Sequence, residues 1–152
     1  MFLLRVCNTL KKHKVPYAIV GGHAVSLHGA VRGTIDIDFV INWTKENLQK
    51  AQEAMESLGL ISRIPIDANT LYDFKDEYIK KRNLIAWNFY NPINPTEQID
   101  IIITFDLSKK KTVNKKIQSY FIKILDKEEL IKMKKNSGRK QDLIDVEALK
   151  KL

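Results

Sequence analysis

Asp36 and Asp38 stand one residue apart in the run Thr34-Ile35-Asp36-Ile37-Asp38-Phe39-Val40-Ile41. The run is apolar and β-branched, which predicts a strand. Strand side chains alternate with period 2, so the two carboxylates share a face. Side by side on an apolar strand they repel each other and lose hydration. A divalent cation between them offsets that cost. Oxygen ligands of this kind suit Mg²⁺, which is usually held by one or two carboxylates plus substrate phosphates. The plain alternative is an exposed edge strand with solvated acids, and the apolar residues on both sides argue against it. The pair points to metal-assisted phosphate chemistry.

Two more segments fit that chemistry. Val20-Gly21-Gly22 reads as a strand ending in two glycines just before a helix. Glycines let backbone approach a phosphate closely, and helix N-termini offer unpaired N–H donors to anions. A double glycine alone is more often only a turn. Asp100 is a lone carboxylate in Ile99-Asp100-Ile101-Ile102-Ile103, where an acid is hard to explain unless it faces the same cation or a substrate hydroxyl. Asp67, Asp73 and Asp106 are its rivals, in less regular segments.

Other residues carry two readings each. His23 lies near the expected phosphate loop and either contacts phosphate or is a half-exposed structural histidine. His23 and His28 are not spaced as a helical zinc pair. Arg32 and Thr34 flank the aspartate strand; Arg32 either pairs with phosphate or bridges a neighbouring carboxylate. Lys109-Lys110-Lys111, with Lys115 and Lys116, either steers a nucleic-acid backbone or is a solvated face. Trp43, Trp87 and Tyr90 either stack a base or belong to the core. On the last helix, Leu143, Ile144, Val146 and Leu149 read as a core stripe, with Asp142 and Asp145 solvent-facing or capping.

The elements that must position these residues follow from periodicity and punctuation. An amphipathic helix is expected over 2–13, broken by Pro16, then a strand Tyr17 to Val20 and a short helix His23 to Gly29. Asn42 or Thr44 caps a helix to about Leu58, closed by Gly59. Residues 60–82 are ambiguous: a strand over Leu60 to Ile64 and a helix over Asp73 to Lys81 are the candidates. Strands are expected over Leu84 to Tyr90, Gln98 to Thr104 and Phe121 to Leu125, with a lysine-rich loop or weak helix between Leu107 and Ser119. Asp126 caps a helix to about Lys135, and Arg139 to Leu152 forms the final helix. This mixture predicts one α/β or α+β domain over residues 1–152.

Composition sets the outer limits. A chain of 152 residues with 44% apolar content suits a single domain with a real core. The formal charge of +8 favours polyanionic partners such as nucleotides or nucleic acid. Cys7 is the only cysteine, which excludes an internal disulfide framework or cysteine zinc cluster and suits a reducing cytosol. The opening Met1-Phe2-Leu3-Leu4 is too short for a signal peptide, and no apolar run approaches a membrane span. A cytoplasmic protein with no membrane partner is expected.

The glycine pair followed by Arg32-Gly33-Thr34-Ile35-Asp36-Ile37-Asp38 resembles the signature of the DNA polymerase β-like nucleotidyltransferase superfamily. Within it, the chain is similar to small bacterial nucleotidyltransferases, including abortive-infection toxins and antibiotic nucleotidyltransferases. Gly138-Arg139-Lys140-Gln141-Asp142-Leu143-Ile144-Asp145 resembles a helix common in that group, with Gln141 where lysine is usual, so that a phosphate contact of that lysine is either missing or taken over by Lys140 or Arg139. The resemblance is strong over residues 15–41, moderate over 98–103 and loose over 124–152. It implies a nucleotidyltransferase fold with a small mixed sheet and helices packed on one side. It implies that Asp36 and Asp38 bind Mg²⁺ and, through it, a nucleoside triphosphate such as ATP. Asp100 would be the third carboxylate, holding a second metal or accepting a proton. Gly21 and Gly22 would hold the triphosphate, with His23, Arg32 and Thr34 beside it.

The implied reaction moves a nucleoside monophosphate onto a hydroxyl and releases pyrophosphate. The acceptor is open: a tRNA end, a protein side chain or a small molecule such as an aminoglycoside or lincosamide. A different class of function is a non-catalytic module that keeps the fold and binds a partner chain, as in a toxin–antitoxin pair. A third is a basic nucleic-acid binder without chemistry.

Overall fold

The computed structural model describes all 152 residues. Helix α1 (Phe2–Lys12) buries Leu3, Leu4, Val6, Cys7 and Leu10, the stripe expected of an amphipathic helix. Strand β1 (Tyr17–Val20) is buried throughout and runs directly into α2 (Gly21–Leu27). Strand β2 (Ile37–Ile41) leads to α3 (Lys45–Ser57), whose N-cap Thr44 accepts from the Asn47 N–H at 3.1 Å. The segment left open by the sequence forms β3 (Ile61–Ser62), α4 (Ala68–Asp73) and α5 (Lys75–Arg82). Then come β4 (Ala86–Tyr90), β5 (Gln98–Ile102), β6 (Thr112–Ile117) and β7 (Tyr120–Leu125). Helices α6 (Lys127–Ser137) and α7 (Lys140–Lys150) close the chain.

The seven strands form one mixed sheet in the order β3-β4-β5-β2-β1-β7-β6. β2 runs antiparallel to β1 and parallel to β5, which in turn runs antiparallel to β4. On β4 and β5 burial alternates strictly. Trp87, Phe89, Ile99 and Ile101 are wholly buried, while Asn88, Asp100 and Ile102 are half-buried. Here one face of the sheet carries the core and the other opens into a cleft, which is how a sheet keeps polar groups on one side. No helix is long and apolar enough to cross a membrane.

Three elements differ from the sequence expectation. The aspartate strand begins at Ile37, not Thr34, and Asp36 sits on an exposed bend. The last β1 partner is Val20, opposite Asp38, because the chain turns into α2 at Gly21 and leaves nothing for Asp36 to pair with on that side. Helix α2 starts at the glycines rather than after them. The lysine-rich stretch contains a strand, β6, in a hairpin with β7 turned at Gln118, which has a φ of 57°. β6 is an exposed edge strand, where lysines discourage pairing with other chains, so its composition reads as a loop.

Candidate active site

Asp38, Asp100 and Asn88 stand abreast on β2, β5 and β4, in direct register. Registered neighbours point to the same face, so the two carboxylates meet in the cleft. Asn88 Nδ2 donates to Asp100 Oδ1 at 2.8 Å, and Asn88 Oδ1 accepts from Arg63 Nε at 2.8 Å. This chain of contacts fixes the Asp100 carboxylate. Asp38 has no such donor. Its burial, then the charges of Asp100 and Asp36, push its pKa up to about 7, with Lys134 opposing them.

Gly21 has a φ of +66°, and a Cβ placed there would overlap the Asp38 carboxylate. A Cβ on Gly22 would lie 2.7 Å from the Thr34 Cβ. Both glycines are therefore required by close approach, and the first also by its left-handed backbone. The absent side chains let the Asp38 carboxylate pack against the backbone at Gly21 and the Thr34 side chain against that at Gly22. This junction and the all-oxygen donor set fit Mg²⁺ with a phosphate chain.

Asp36 lies at the rim, close enough for its charge to act on Asp38. No three His, Cys, Asp or Glu side chains in the fold stand in a ready three-ligand metal arrangement. The structure thus brings Asp38 and Asp100 together and leaves Asp36 beside them. Thr34 Oγ1 reaches the Asp36 carbonyl at 3.4 Å, and His23 Nε2 pairs with the Ile35 carbonyl at 3.3 Å, so both brace the bend that carries Asp36. Asp36, Asp38, Asp100, Gly22, Arg32 and Thr34 all line a cavity of about 950 Å³. Asp38 and Arg139 also line an adjoining cavity of about 480 Å³, together with Gly21 and Lys134.

Beneath the cleft lies an ion-pair network. Asp142 and Asp145 are 3% and 2% exposed, which overturns the expectation that they face solvent. Asp142 does cap α7, accepting the Arg139 N–H at 3.2 Å. The buried Lys134 Nζ lies 2.8 Å from Asp145 Oδ2 and 3.6 Å from Asp142 Oδ1. Arg32 Nε donates to Asp145 Oδ1 at 3.0 Å, and Arg139 Nε to Asp142 Oδ2 at 2.9 Å. Of the two readings of Arg32, the bridge to a carboxylate is the one seen. Gln141 Nε2 donates to Asp145 Oδ1 at 3.0 Å, so it joins this network rather than leaving a gap. Burial raises the pKa of both acids, but the Arg139 guanidinium at Asp142 and the Lys134 ammonium at Asp145 outweigh it and hold both below the usual value.

The expected core stripe on α7 is also corrected. Leu143 and Ile144 are exposed, and the inward face is Asp142, Asp145, Val146 and Leu149. That face follows i, i+3, i+4, i+7, a signal present in the sequence but hidden because two of its members are acids. Lys134 was missed too; a lysine among charged helix residues gives no sign that it is 6% exposed. His28 pairs with the Leu125 carbonyl at 2.7 Å and is structural. Trp87 is wholly buried, while Trp43 stacks on Tyr72 and Tyr90 lies under Arg63; none lines either cavity of the cleft. The rival acids are accounted for by local contacts: Asp67 caps α4, Asp73 pairs with Lys45, and Asp106 accepts the Trp43 N–H.

No family model and no curated protein sequence matches the chain. Solved structures do. The antibiotic-resistance factor ANT(2'')-Ia, in its solution structure, aligns with a TM-score of 0.66 at 11% identity, over 97% of this chain and 80% of that one. The lincosamide antibiotic adenylyltransferase LnuA, bound to lincomycin, gives 0.64 at 15% identity, over 98% and 94%. An antigenic nucleotidyltransferase-like protein from Paracoccidioides brasiliensis gives 0.59 at 16% identity, over 97% and 72%. At these identities the shared property is architecture, and this chain has the nucleotidyltransferase fold.

Proposed function

We propose that the cleft binds a nucleoside triphosphate with Mg²⁺ and transfers its nucleoside monophosphate to a hydroxyl acceptor. The observation that carries this reading is the registered Asp38–Asp100 pair pressed against the side-chain-free backbone of Gly21. Asp38 and Asp100 would hold the metal from the sheet, and Asp36 from the rim. A bound magnesium ion supplies charge neutralisation for the triphosphate and for the leaving pyrophosphate. Gly21 and Gly22 let Asp38 and Thr34 close against the main chain, and the phosphate chain would lie beside that junction. Thr34 and His23 hold the bend that presents Asp36. In the transfer, the acceptor oxygen forms a bond to the α-phosphorus. The bond from that phosphorus to the bridging oxygen breaks, and pyrophosphate leaves. Asp100, oriented by Asn88, would accept the acceptor's proton.

ATP is the donor we favour, because one structural neighbour is an adenylyltransferase and another is solved with adenylyl-2''-tobramycin. The same neighbours favour a small hydroxylated acceptor over a tRNA end or a protein side chain. Cys7 is no rival nucleophile: burial pushes its thiol up to about 12, despite its bond to Tyr17. A lone buried thiol also suits the cytoplasm, where we place the protein.

The test is incubation with each α-labelled triphosphate and Mg²⁺, with a small-molecule panel, tRNA or cell protein as acceptor. Label transfer that disappears in Asp36→Ala and Asp38→Ala supports the reading; transfer that persists in both refutes it. A second reading is a partner-binding module of a toxin–antitoxin kind. It is favoured by the apolar side chains Ile35 and Ile85, which line the cleft yet are 70% and 61% exposed. No triphosphate binding, together with stable co-purification of a partner chain, would select it.

A further inference from the structure

A second groove, of about 730 Å³, lies at the opposite end of β1 from Gly21. Five lysines line it: Lys11 from α1, Lys14 from the turn after it, Lys109 and Lys110 from the loop before β6, and Lys123 from β7. No acidic residue lines it, and none of the five lysines makes an ion pair. Like charges gathered from segments this far apart repel, and no carboxylate bridges any of them. Phe121, 62% exposed, lies among them.

The backbone supplies an independent observation. Lys14 and Lys109 have φ of 58° and 62°, the left-handed region that L side chains disfavour and glycine enters freely. Lys14 is the residue just past the end of α1, where Val15 N–H returns to the Leu10 carbonyl at 3.0 Å. That position calls for glycine or asparagine. Where other helices are followed by a left-handed residue, it is glycine or asparagine: Gly29 after α2, Gly59 after α3, Asn83 after α5 and Gly138 after α6. Only α1 ends on a lysine there. Lys109 occupies the third position of the turn closed by Lys110 N–H to the Leu107 carbonyl at 2.9 Å, another glycine position. Two of the groove's five lysines thus stand where local backbone energetics oppose them.

We propose that this groove binds a single strand of nucleic acid, with the lysines on successive phosphates and a base stacked on Phe121. A charged groove with an aromatic platform is the general form of such a site. Lysine ammonium groups track phosphates as point charges without base readout, so binding is sequence-tolerant. Lys110 also lines the smaller cavity beside Asp38, so the strand would pass next to the cleft.

The experiment is fluorescence anisotropy with a fluorescein-labelled 12-mer of oligo-uridylate, from 50 to 200 mM KCl. Five phosphate contacts predict a slope of log K against log salt of about −3.5, a loss of roughly a hundredfold across that range. Lys14→Gly/Lys109→Gly should shallow the slope by about 1.4 and weaken binding by roughly 25-fold at 0.1 M salt. The same double variant should melt at an unchanged or higher temperature, because glycine suits both backbones. Phe121→Ala should weaken binding about tenfold with the slope unchanged. An unchanged slope in the double variant would overturn the proposal. So would Phe121→Ala without effect, or poly-glutamate or inorganic polyphosphate of matched charge binding as tightly as the oligonucleotide.

Discussion

Asp38 should make the protein less stable at neutral pH than it would be with a neutral side chain in its place. Its pKa rises from the ordinary 3.8 to about 7 on folding, through burial and the Asp100 and Asp36 charges. Between those two values the folded state binds the proton more tightly than the unfolded chain. Stability therefore falls as pH rises through that window, the reverse of a salt-bridged aspartate. The window spans about three pH units, each worth about 1.4 kcal/mol, so the full cost above pH 7 is about 4 kcal/mol. Asp38→Asn removes the charge at nearly constant shape. Urea denaturation of both proteins at pH 5 and pH 8 is the assay. The variant should gain about 3 kcal/mol over the native chain between those two pH values. The contributions of Asp142, Asp145 and the other low-pKa acids run in the opposite direction in both proteins and cancel in the difference. Added Mg²⁺ should narrow the gap at pH 8 by stabilising only the native chain. A stability difference that does not change with pH would refute the assignment of Asp38 as a half-buried carboxylate held among like charges.

Two further predictions concern the groups around it. Gly21→Ala places a methyl in the space of the Asp38 carboxylate and forces a left-handed L-residue, costing at least about 1–2 kcal/mol; label transfer should fall at least about tenfold with it, read by melting and by the transfer assay together. Lys134→Ala leaves Asp145 and Asp142 buried with one fewer cation, and chemical denaturation should show a loss of about 3–5 kcal/mol.

What the sequence made legible was whatever depends on local order. The period of two in Ile37-Asp38-Phe39 and Ile99-Asp100-Ile101 placed both carboxylates on strands, and the register of those strands brought them together. The double glycine was readable as a bend from strand into helix, although only the fold shows that the Asp38 carboxylate itself demands Gly21. Asp36 was misplaced because strand ends are set by partners: β1 turns away at Gly21, a fact of the neighbouring chain rather than of the residue. The network beneath the cleft was unreadable for a similar reason. Asp142 and Asp145 can be buried only if cations arrive from α6 and from the segment after α2, and no local pattern announces a pairing across 113 residues such as Arg32 with Asp145. The lysine groove has the same character, since Lys14 and Lys123 meet only through the sheet.

The distribution of cations bears on the proposed role of the carboxylate pair. With a net charge of +8, the chain has ample lysine and arginine to neutralise any buried acid. It does so for Asp142 and Asp145, which take Lys134, Arg139 and Arg32 between them. Yet none of Asp36, Asp38 and Asp100 makes an ion pair, although Arg32 and Arg139 line the same cavity. An acid pair kept for packing alone would be relieved by a cation from the protein or replaced by apolar residues, as buried ion pairs often can be. Here the nearby guanidinium groups are held by other carboxylates, and Gly21 removes the one side chain that would cover Asp38. The fold thus keeps these carboxylates without a bridging cation and open to a cavity of about 950 Å³, with Lys134 only partly offsetting the charge at Asp38. An accessible site of this kind is what the proposed reading requires, and an external divalent cation is the charge that would complete it there.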